Sequence, residues 1–459
     1  MQLRDGDNSH GMGTTGAIQS LPPDVPAGSS GVAASRLLRR PSGRVLVLIA
    51  LVVLTLLVIV RGVIPATRQI DSDFPNYLTA ARIVAGHGPT ERLYDDAWFL
   101  GEIHAYLGSD AVGRFAPFPP PTALVLVPIA GLEPLNALRV MTVASVGCLV
   151  LSIVLLARLL AWDRLETALF VLASGHAIFN GLRLGQIYIL VATTCILGYY
   201  ACARGRQVRG GLWLGLFLPI KYFPLTIVAA LALVKSWRAV AGAAISAVSV
   251  IGLSILILGW DIHRQFLDSV LGRHLLLHIR GQSEFATAYQ SFDTLFRRLF
   301  TFDAAENPTP PWPIPWLAGP LTALTKAALV LAAVAVLTRL LRREPHALAP
   351  CVGILALLTL LIAPGTATYH FVLLWLPVGL LSVHLLRRHA RWAALSILLL
   401  YALIGLLPFS HLLGSDTPVL LAYPRLAMLL TMFIVASVTL WRSDEATAQG
   451  ADQRNASQF

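Results

Sequence analysis

The sequence predicts an all-α membrane protein that crosses the bilayer about twelve times. Hydrophobic residues make up 56% of the 459 residues and charged residues only 13%, whereas a soluble domain carries about 25% charged residues. Apolar runs of membrane-spanning length recur along the chain, and basic residues cluster between them, as the positive-inside rule describes. The net charge of +11 therefore indicates membrane topology, and we expect a lipid bilayer but no nucleic acid as a partner.

Residues 1–44 are expected to form a disordered cytoplasmic tail with a basic flank, because they are rich in Gly, Ser and Pro and lack apolar periodicity. The apolar run Val45 to Val60 follows. We interpret it as an uncleaved first helix, since a long tail precedes it and no clear A-x-A site follows. The membrane domain is predicted over residues 45–441, and residues 442–459 form a second cytoplasmic tail.

A first outer loop is predicted over residues 66–134, which are too polar to cross the membrane. It opens with Ile70-Asp71-Ser72-Asp73-Phe74-Pro75-Asn76-Tyr77, and a helix is expected from about Phe74 to Ala85, with an aspartate as its possible N-cap. The apolar piece Thr122 to Leu132 is too short to span the membrane and is expected to be a helix lying at the outer interface.

Beyond this loop, apolar runs alternate with short polar segments, and a second outer loop is predicted over 260–315. The basic clusters between runs fall on the same side as Arg39 and Arg40, so both termini are expected in the cytoplasm and both large loops outside. Spans are predicted near 135–160, 165–182, 186–203, 210–220, 222–234, 239–259, 316–340, 347–363, 369–386, 392–408 and 421–441, with 210–234 as a short hairpin.

Two carboxylates stand where the first helix emerges from the membrane. Asp71 and Asp73 lie two residues apart and would diverge around a helix, so at most one faces a given site. A carboxylate there is suited to act as general base on an acceptor hydroxyl. Simple solvation at a helix end is the alternative interpretation.

Lys221 is the second candidate, at the outer end of the short hairpin. An ionisable residue near membrane depth is costly and indicates function by default. Its ammonium could bind a lipid phosphate, and snorkelling to the interface is the structural alternative.

Arg183 and Gln186 occupy an outer turn, and His370 begins a span on its outer side; taken alone, residues in such positions more often have a structural role. His274 and His278 have i, i+4 spacing, but no carboxylate completes a recognisable metal site. The four cysteines form no C-x-x-C pair. We therefore expect no metal and no cofactor.

Short motifs recur in order from about residue 65 to 440. They are D-F-x-x-Y-x-x-A at Asp73 to Ala80, L-Y-D at Leu93 to Asp95, an aromatic-proline element at Phe115 to Pro121, G-Q at Gly185-Gln186, K-x-x-P at Lys221 to Pro224, Q-S…R at Gln290-Ser291 with Arg297 or Arg298, and P…Y-H at Pro364 with Tyr369-His370. In this order they resemble glycosyltransferase family 87, the polyprenyl-phosphate-mannose-dependent α-mannosyltransferases of the GT-C superfamily. Phe118, Tyr188 and Tyr289 depart from residues common in the family, and the last motif resembles the family's P…W-H.

The resemblance implies a GT-C fold, a helical bundle whose outward-facing cavity is roofed by the two outer loops. It implies inverting transfer of a hexose, expected to be mannose, from a polyprenyl-phosphate donor to a hydroxyl of a glycolipid or glycan, at a bacterial plasma (inner) membrane. Asp73 is the expected base, with Asp71 second. The expected donor-binding residues are Lys221, His370, Arg297, Arg298, Gln186, Arg183 and Tyr77.

Two other functions suit the same sequence. A flippase or transporter of a lipid-linked sugar fits the many spans and the lack of an ATP-binding motif, but acidic outer loops and the absence of a clear internal repeat fit it less well. Another GT-C activity, such as an oligosaccharide polymerase or ligase, would share the topology.

Overall fold

The computed structural model describes residues 41–272, 283–409 and 417–442, and most of these residues are helical. In this part of the chain no β-strand forms, and one isolated bridge joins Asp303 to Asn307. The α-helices are α1 (Pro41–Val58), α2 (Ile64–Arg68), α3 (Phe74–Ala85), α4 (Asp96–Leu107), α5 (Pro134–Leu160), α6 (Arg164–Leu172), α7 (Gly175–Arg183), α8 (Tyr188–Ala203), α9 (Gln207–Phe217), α10 (Pro224–Leu233), α11 (Trp237–Leu258), α12 (Trp260–Gln265), α13 (Phe292–Phe300), α14 (Pro315–Arg343), α15 (Leu348–Ile362), α16 (Trp375–Arg387), α17 (Arg391–Leu406) and α18 (Pro424–Arg442).

The chain is a multi-pass membrane protein. Among the described residues, six helices are long and apolar enough to cross a bilayer, and the bent pair α6–α7 would make a seventh. The six are Ser42–Arg68, Pro134–Leu160, Trp237–Leu258, Pro315–Arg343, Thr368–Arg387 and Pro424–Arg442. Their outward faces carry large exposed apolar side chains such as Leu256 and Leu331, which water would not tolerate as a continuous surface.

Both ends of the membrane domain differ slightly from the predicted boundaries. The first helix already begins at Pro41, inside the predicted tail, and continues through a π-helical turn (Ile59–Val63) to Arg68. The last helix includes Arg442. Residues 1–40 and 443–459, where the two tails are predicted, lie outside the described residues, as do His274 and His278.

The predicted span 165–182 is not one helix. It divides into α6 and α7, which are bent by 67°. At the break, the Ser174 hydroxyl donates to the Val171 carbonyl one turn earlier and accepts a 2.9 Å hydrogen bond from the buried Trp375 indole. The Ser174-Gly175 pair interrupts the apolar run at this point, and such pairs are a usual site of helix kinks, so the sequence carried a signal that the prediction of a single span did not use.

The predicted interfacial helix after the first proline cluster is also absent. Residues Pro120–Leu124 and Val127–Ile129 form two short 3₁₀ turns instead. Prolines remove backbone donors and block a continuous α-helix, and Pro128 repeats that interruption within the apolar piece. Residues 120–123 of the first turn are buried, so this segment packs inside the protein rather than lying free at a membrane interface.

Helices α9 and α11 pack backbone to backbone through three glycines. An added Cβ at Gly211 would collide with the Ala239 carbonyl oxygen, one at Gly215 with that of Ala243, and one at Gly242 with that of Val208. Small residues permit this close approach in membrane helices. The contact fixes the short helix α9, and with it the turn that carries Lys221.

We therefore expect Gly211→Ala to destabilise the protein, because the collision is with backbone atoms that have no rotamer to adjust. Overpacking of this kind costs about 1–3 kcal/mol. Gly252→Ala is the matched control: it lies in α11, and an added Cβ there meets nothing within 4 Å. Thermal unfolding in detergent should show a lower midpoint for the first variant only, and equal midpoints would contradict this account of the packing.

Candidate active site

A cavity of about 410 Å³ lies where segments 72–76 and 112–119 meet the turns before α8, α10 and α16. These parts are distant in the sequence, so the cavity exists only in the folded bundle. The polar and aromatic residues of its wall include Asp73, Asn76, Arg114, Phe118, Gln186, Tyr188, Lys221, Tyr222, Tyr289, Tyr369 and His370.

Asp73 occupies the N-cap position of α3, but its side chain caps no backbone N–H. The carboxylate turns toward the cavity, where Oδ2 accepts a 2.7 Å hydrogen bond from Nε2 of Gln186. Burial raises the pKa of Asp73, while the Gln186 hydrogen bond and the charge of Lys221 act in the opposite direction. A carboxylate with these surroundings is suited to accept a proton.

The turn that presents Gln186 is a Schellman motif at the end of α7. Gly185 has φ of 62°, the Gly185 N–H donates to the Leu182 carbonyl, and the Gln186 N–H donates to that of Gly181. A side chain at position 185 would also meet Phe74 at 2.7 Å. Glycine is required here, and the motif aims Gln186 at the start of α3.

Lys221 is 9% exposed and lies among aromatic rings. Its Nζ is 4.4 Å from the ring centre of Phe118, 4.7 Å from that of Tyr188 and 5.7 Å from that of Tyr77, which is within the range of cation–π attraction. Burial lowers the pKa of Lys221 to about 7, against the opposing effect of Asp73. The sequence prediction that Lys221 faces a site is consistent with this placement.

His370 lines the same cavity from the 3₁₀ turn Thr368–Leu374 that precedes α16. Its Nδ1 accepts a 2.9 Å hydrogen bond from the Ala367 N–H. In the neutral ring the proton therefore sits on Nε2, which makes that atom a hydrogen-bond donor. The imidazole ring contacts the Tyr188 ring edge-on, with 4.5 Å between the two ring centres.

Asp71 and Arg183 pair with each other outside this cavity. Arg183 Nε lies 2.7 Å from Asp71 Oδ2, and both side chains are partly exposed. Asp71 instead borders a second cavity of about 300 Å³, together with Asp110. The structure thus separates the two predicted acids and leaves Asp73 alone in the larger cavity.

Arg297 and Arg298 also lie away from the cavity wall. Arg297 forms an ion pair with Glu284, and Arg298 donates a 3.0 Å hydrogen bond to the Phe285 carbonyl. Both arginines therefore link α13 to the segment before it, and neither lines the cavity in the structure.

The Gln290-Ser291 pair fastens the start of α13 to the turn before α16. The Gln290 N–H donates to the Thr366 carbonyl at 2.9 Å, and the Ser291 hydroxyl donates to that of Pro364 at 2.8 Å. These bonds bring the neighbouring Tyr289 into the cavity wall. The motif thus has a structural role that its sequence did not reveal.

Arg114 and Asn76 are cavity residues that sequence reasoning missed. The Asn76 amide oxygen accepts a 2.8 Å hydrogen bond from the Arg114 N–H, and Gly113 leaves room for it, because an added Cβ would collide with that oxygen. Arg114 places its half-exposed guanidinium 3.9 Å from Asp96. The only available signal was their position beside recognised motifs.

In the described part of the chain, no three His, Cys, Asp or Glu side chains are grouped to hold a metal ion. The model of glycosyltransferase family 87 matches residues 115–364, which is more than half of the chain. The match includes Gln186 and Lys221, whereas Asp73 precedes it and His370 follows its end. The chain matches none of the curated proteins.

Proposed function

Because the chain belongs to glycosyltransferase family 87, we propose that it transfers a hexose, with mannose as the first candidate, from a polyprenyl-phosphate donor to an acceptor hydroxyl. The acceptor is a glycolipid or a glycan, and the reaction takes place at the outer face of a bacterial plasma membrane. In this proposal the six long helices, the α6–α7 pair and the shorter helices α8, α9, α10, α15 and α17 make twelve spans, and both termini are cytoplasmic.

The observation that supports this function best is the presence of Asp73 and Lys221 in one cavity. Transfer from a lipid phosphate to a hydroxyl needs a base for the hydroxyl proton and a positive charge for the departing phosphate. The lysine is buried among rings that exclude water, which strengthens its attraction for an anion.

In the proposed mechanism, the acceptor hydroxyl attacks the anomeric carbon of the donor as Asp73 Oδ1 takes its proton. The bond between the anomeric carbon and the phosphate oxygen breaks, and its electron pair leaves with polyprenyl phosphate, which gains a negative charge. Protonated Lys221 stabilises that charge, and the Nε2–H of His370 is available to donate to phosphate or sugar. Direct displacement inverts the configuration, so a β-linked donor gives an α-linked product.

The proposal is tested in proteoliposomes with purified protein, radiolabelled polyprenyl-phosphate-mannose and membrane extract as the acceptor pool. We expect label on an acceptor, in an α-linkage. Label that only changes leaflet would support a flippase instead, and label in a growing polymer would support a polymerase. Parallel reactions with glucose- and galactose-linked donors test the sugar, and no transfer from any of them would overturn the proposed activity.

A further inference from the structure

Tyr77 and Gln186 form a hydrogen-bond chain that ends on Asp73. The Tyr77 hydroxyl donates to Gln186 Oε1 at 2.8 Å, and Gln186 Nε2 donates to Asp73 Oδ2 at 2.7 Å. Tyr77 is fully buried, and Gln186 is 2% exposed. This hydrogen-bond chain links Tyr77 in α3, Gln186 in the Schellman turn after α7, and Asp73 just before α3.

The direction of this chain is set by chemistry. An ionised carboxylate only accepts hydrogen bonds, so the end of the Gln186 amide that faces Asp73 must be its NH₂ group. The amide carbonyl then faces Tyr77, whose hydroxyl supplies the donor. Without that hydroxyl the carbonyl would be buried without a partner, and the amide would lose the contact that fixes its orientation.

The surroundings leave little freedom for either side chain. The Tyr77 ring stacks on Phe118 at 4.8 Å, and the positive φ of Gly185 fixes the backbone of the turn before Gln186. Among the described residues, none donates a hydrogen bond to the other carboxylate oxygen of Asp73, Oδ1. The hydrogen-bond chain thus occupies one oxygen of a carboxylate that lines the cavity and leaves the other oxygen available to a substrate.

We propose that Tyr77 and Gln186 are positioning residues that orient the Asp73 carboxylate toward the acceptor hydroxyl. This inference rests on the proposed function, in which Asp73 is the base, and it replaces the donor-binding role that the sequence suggested for both residues. Neither side chain has to touch a substrate. Their effect on the reaction passes through the carboxylate they hold.

The two positioning residues should also affect the protonation of Asp73. The Gln186 hydrogen bond favours the ionised carboxylate, so loss of the hydrogen-bond chain should raise the pH at which Asp73 takes up a proton. Other titratable groups interact electrostatically with Asp73, and none of them is replaced in the Gln186 and Tyr77 variants described next. These groups are Asp71, Lys221, Tyr188, Tyr289 and Tyr369.

The test measures the protonation of Asp73 directly, by infrared difference titration in lipid nanodiscs with Asp73→Asn as the blank. We expect the midpoint to rise by roughly one pH unit in Gln186→Leu, as for loss of a hydrogen bond to a charged group. It should rise less in Tyr77→Phe and most in Gln186→Glu, where a second carboxylate faces Asp73. In the pH profile of the transfer rate, the midpoint of the fall at acidic pH should rise by the same amounts.

Tyr401→Phe is the matched control, because it removes an equally buried tyrosine hydroxyl, bonded to the Phe170 carbonyl at 3.0 Å, away from the cavity. It should leave the midpoint unchanged. Unchanged midpoints in the two Gln186 variants would overturn the inference, even if their transfer rates fell. Because the infrared titration needs no turnover, an inactive wild-type protein would overturn the proposed function while the positioning of Asp73 is still decided.

Discussion

Replacing Asp73 by asparagine is expected to reduce sugar transfer about 10²- to 10⁴-fold, the usual contribution of a general base. The amide keeps the size of the side chain but cannot take the acceptor proton. Donor binding should change little, because Lys221, which we propose binds the donor phosphate, is intact. Initial rates and the Kd of the donor, measured on the same purified protein, separate the two effects.

Asp71→Asn is the matched control for this experiment. It removes the neighbouring acid, which pairs with Arg183 outside the larger cavity, so most of the transfer rate should remain. If Asp71→Asn lost activity and Asp73→Asn kept it, the base would be Asp71, and the larger cavity would not be the place of proton transfer.

Replacing Lys221 by methionine is expected to weaken donor binding by about 30-fold or more, the effect of removing one partner from a buried charge pair. Methionine fills the space between the rings of Phe118 and Tyr188 without the charge. The rate at saturating donor should fall as well, because the departing phosphate loses its counter-charge. Acceptor affinity should stay the same, and a change in acceptor affinity alone would contradict the assignment.

The pH dependence gives Lys221 a second signature. Its pKa of about 7 in the free protein means that the ammonium is present below neutral pH and is lost above it. Donor affinity should therefore fall as pH rises through about 7. Asp73, whose pKa is raised by burial, must lose its proton to act, so kcat/KM should fall again at acidic pH and the profile should be bell-shaped.

Lys221→Arg and Lys221→Met test the basic limb of this profile. An arginine stays charged throughout the range, so the donor affinity of Lys221→Arg should not change above pH 7. The donor affinity of Lys221→Met should be low and should not change with pH in this range. A basic limb that persists in both variants would assign the titration to another group.

Helix positions could be predicted from the sequence because local patterns determine them. The helix Phe74–Ala85 has its predicted bounds: Pro75 at the start suits the first turn, and Gly86 follows the end. The resemblance to glycosyltransferase family 87 could be recognised in the same way, from short motifs in a fixed order. The break at Ser174 was missed although the Ser174-Gly175 pair is a local kink signal, and the indole of Trp375 that bonds to Ser174 lies on another helix.

The roles of the candidate site residues stay predictions, and the structure shows only which of these residues lie together. Lys221 and His370 line the larger cavity, and both could be picked out because an ionisable residue at the end of an apolar segment stands out locally. Gln186 was also a candidate, but its hydrogen bond to Asp73 could not be foreseen, because the two residues are more than a hundred positions apart. The arginines after Gln290-Ser291 were expected at the donor, yet Arg297 pairs with Glu284, a contact that no local pattern encodes.

The central claim is that donor and acceptor meet in the cavity between Lys221 and Asp73. The most direct test is a cryo-electron microscopy structure in nanodiscs with a C-glycosyl phosphonate analogue of polyprenyl-phosphate-mannose, which cannot be cleaved. The account predicts the phosphonate beside the Lys221 ammonium and the anomeric carbon facing Asp73 Oδ1. Density for the sugar and phosphonate elsewhere, for example beside Asp71 and Asp110 in the smaller cavity, would contradict it.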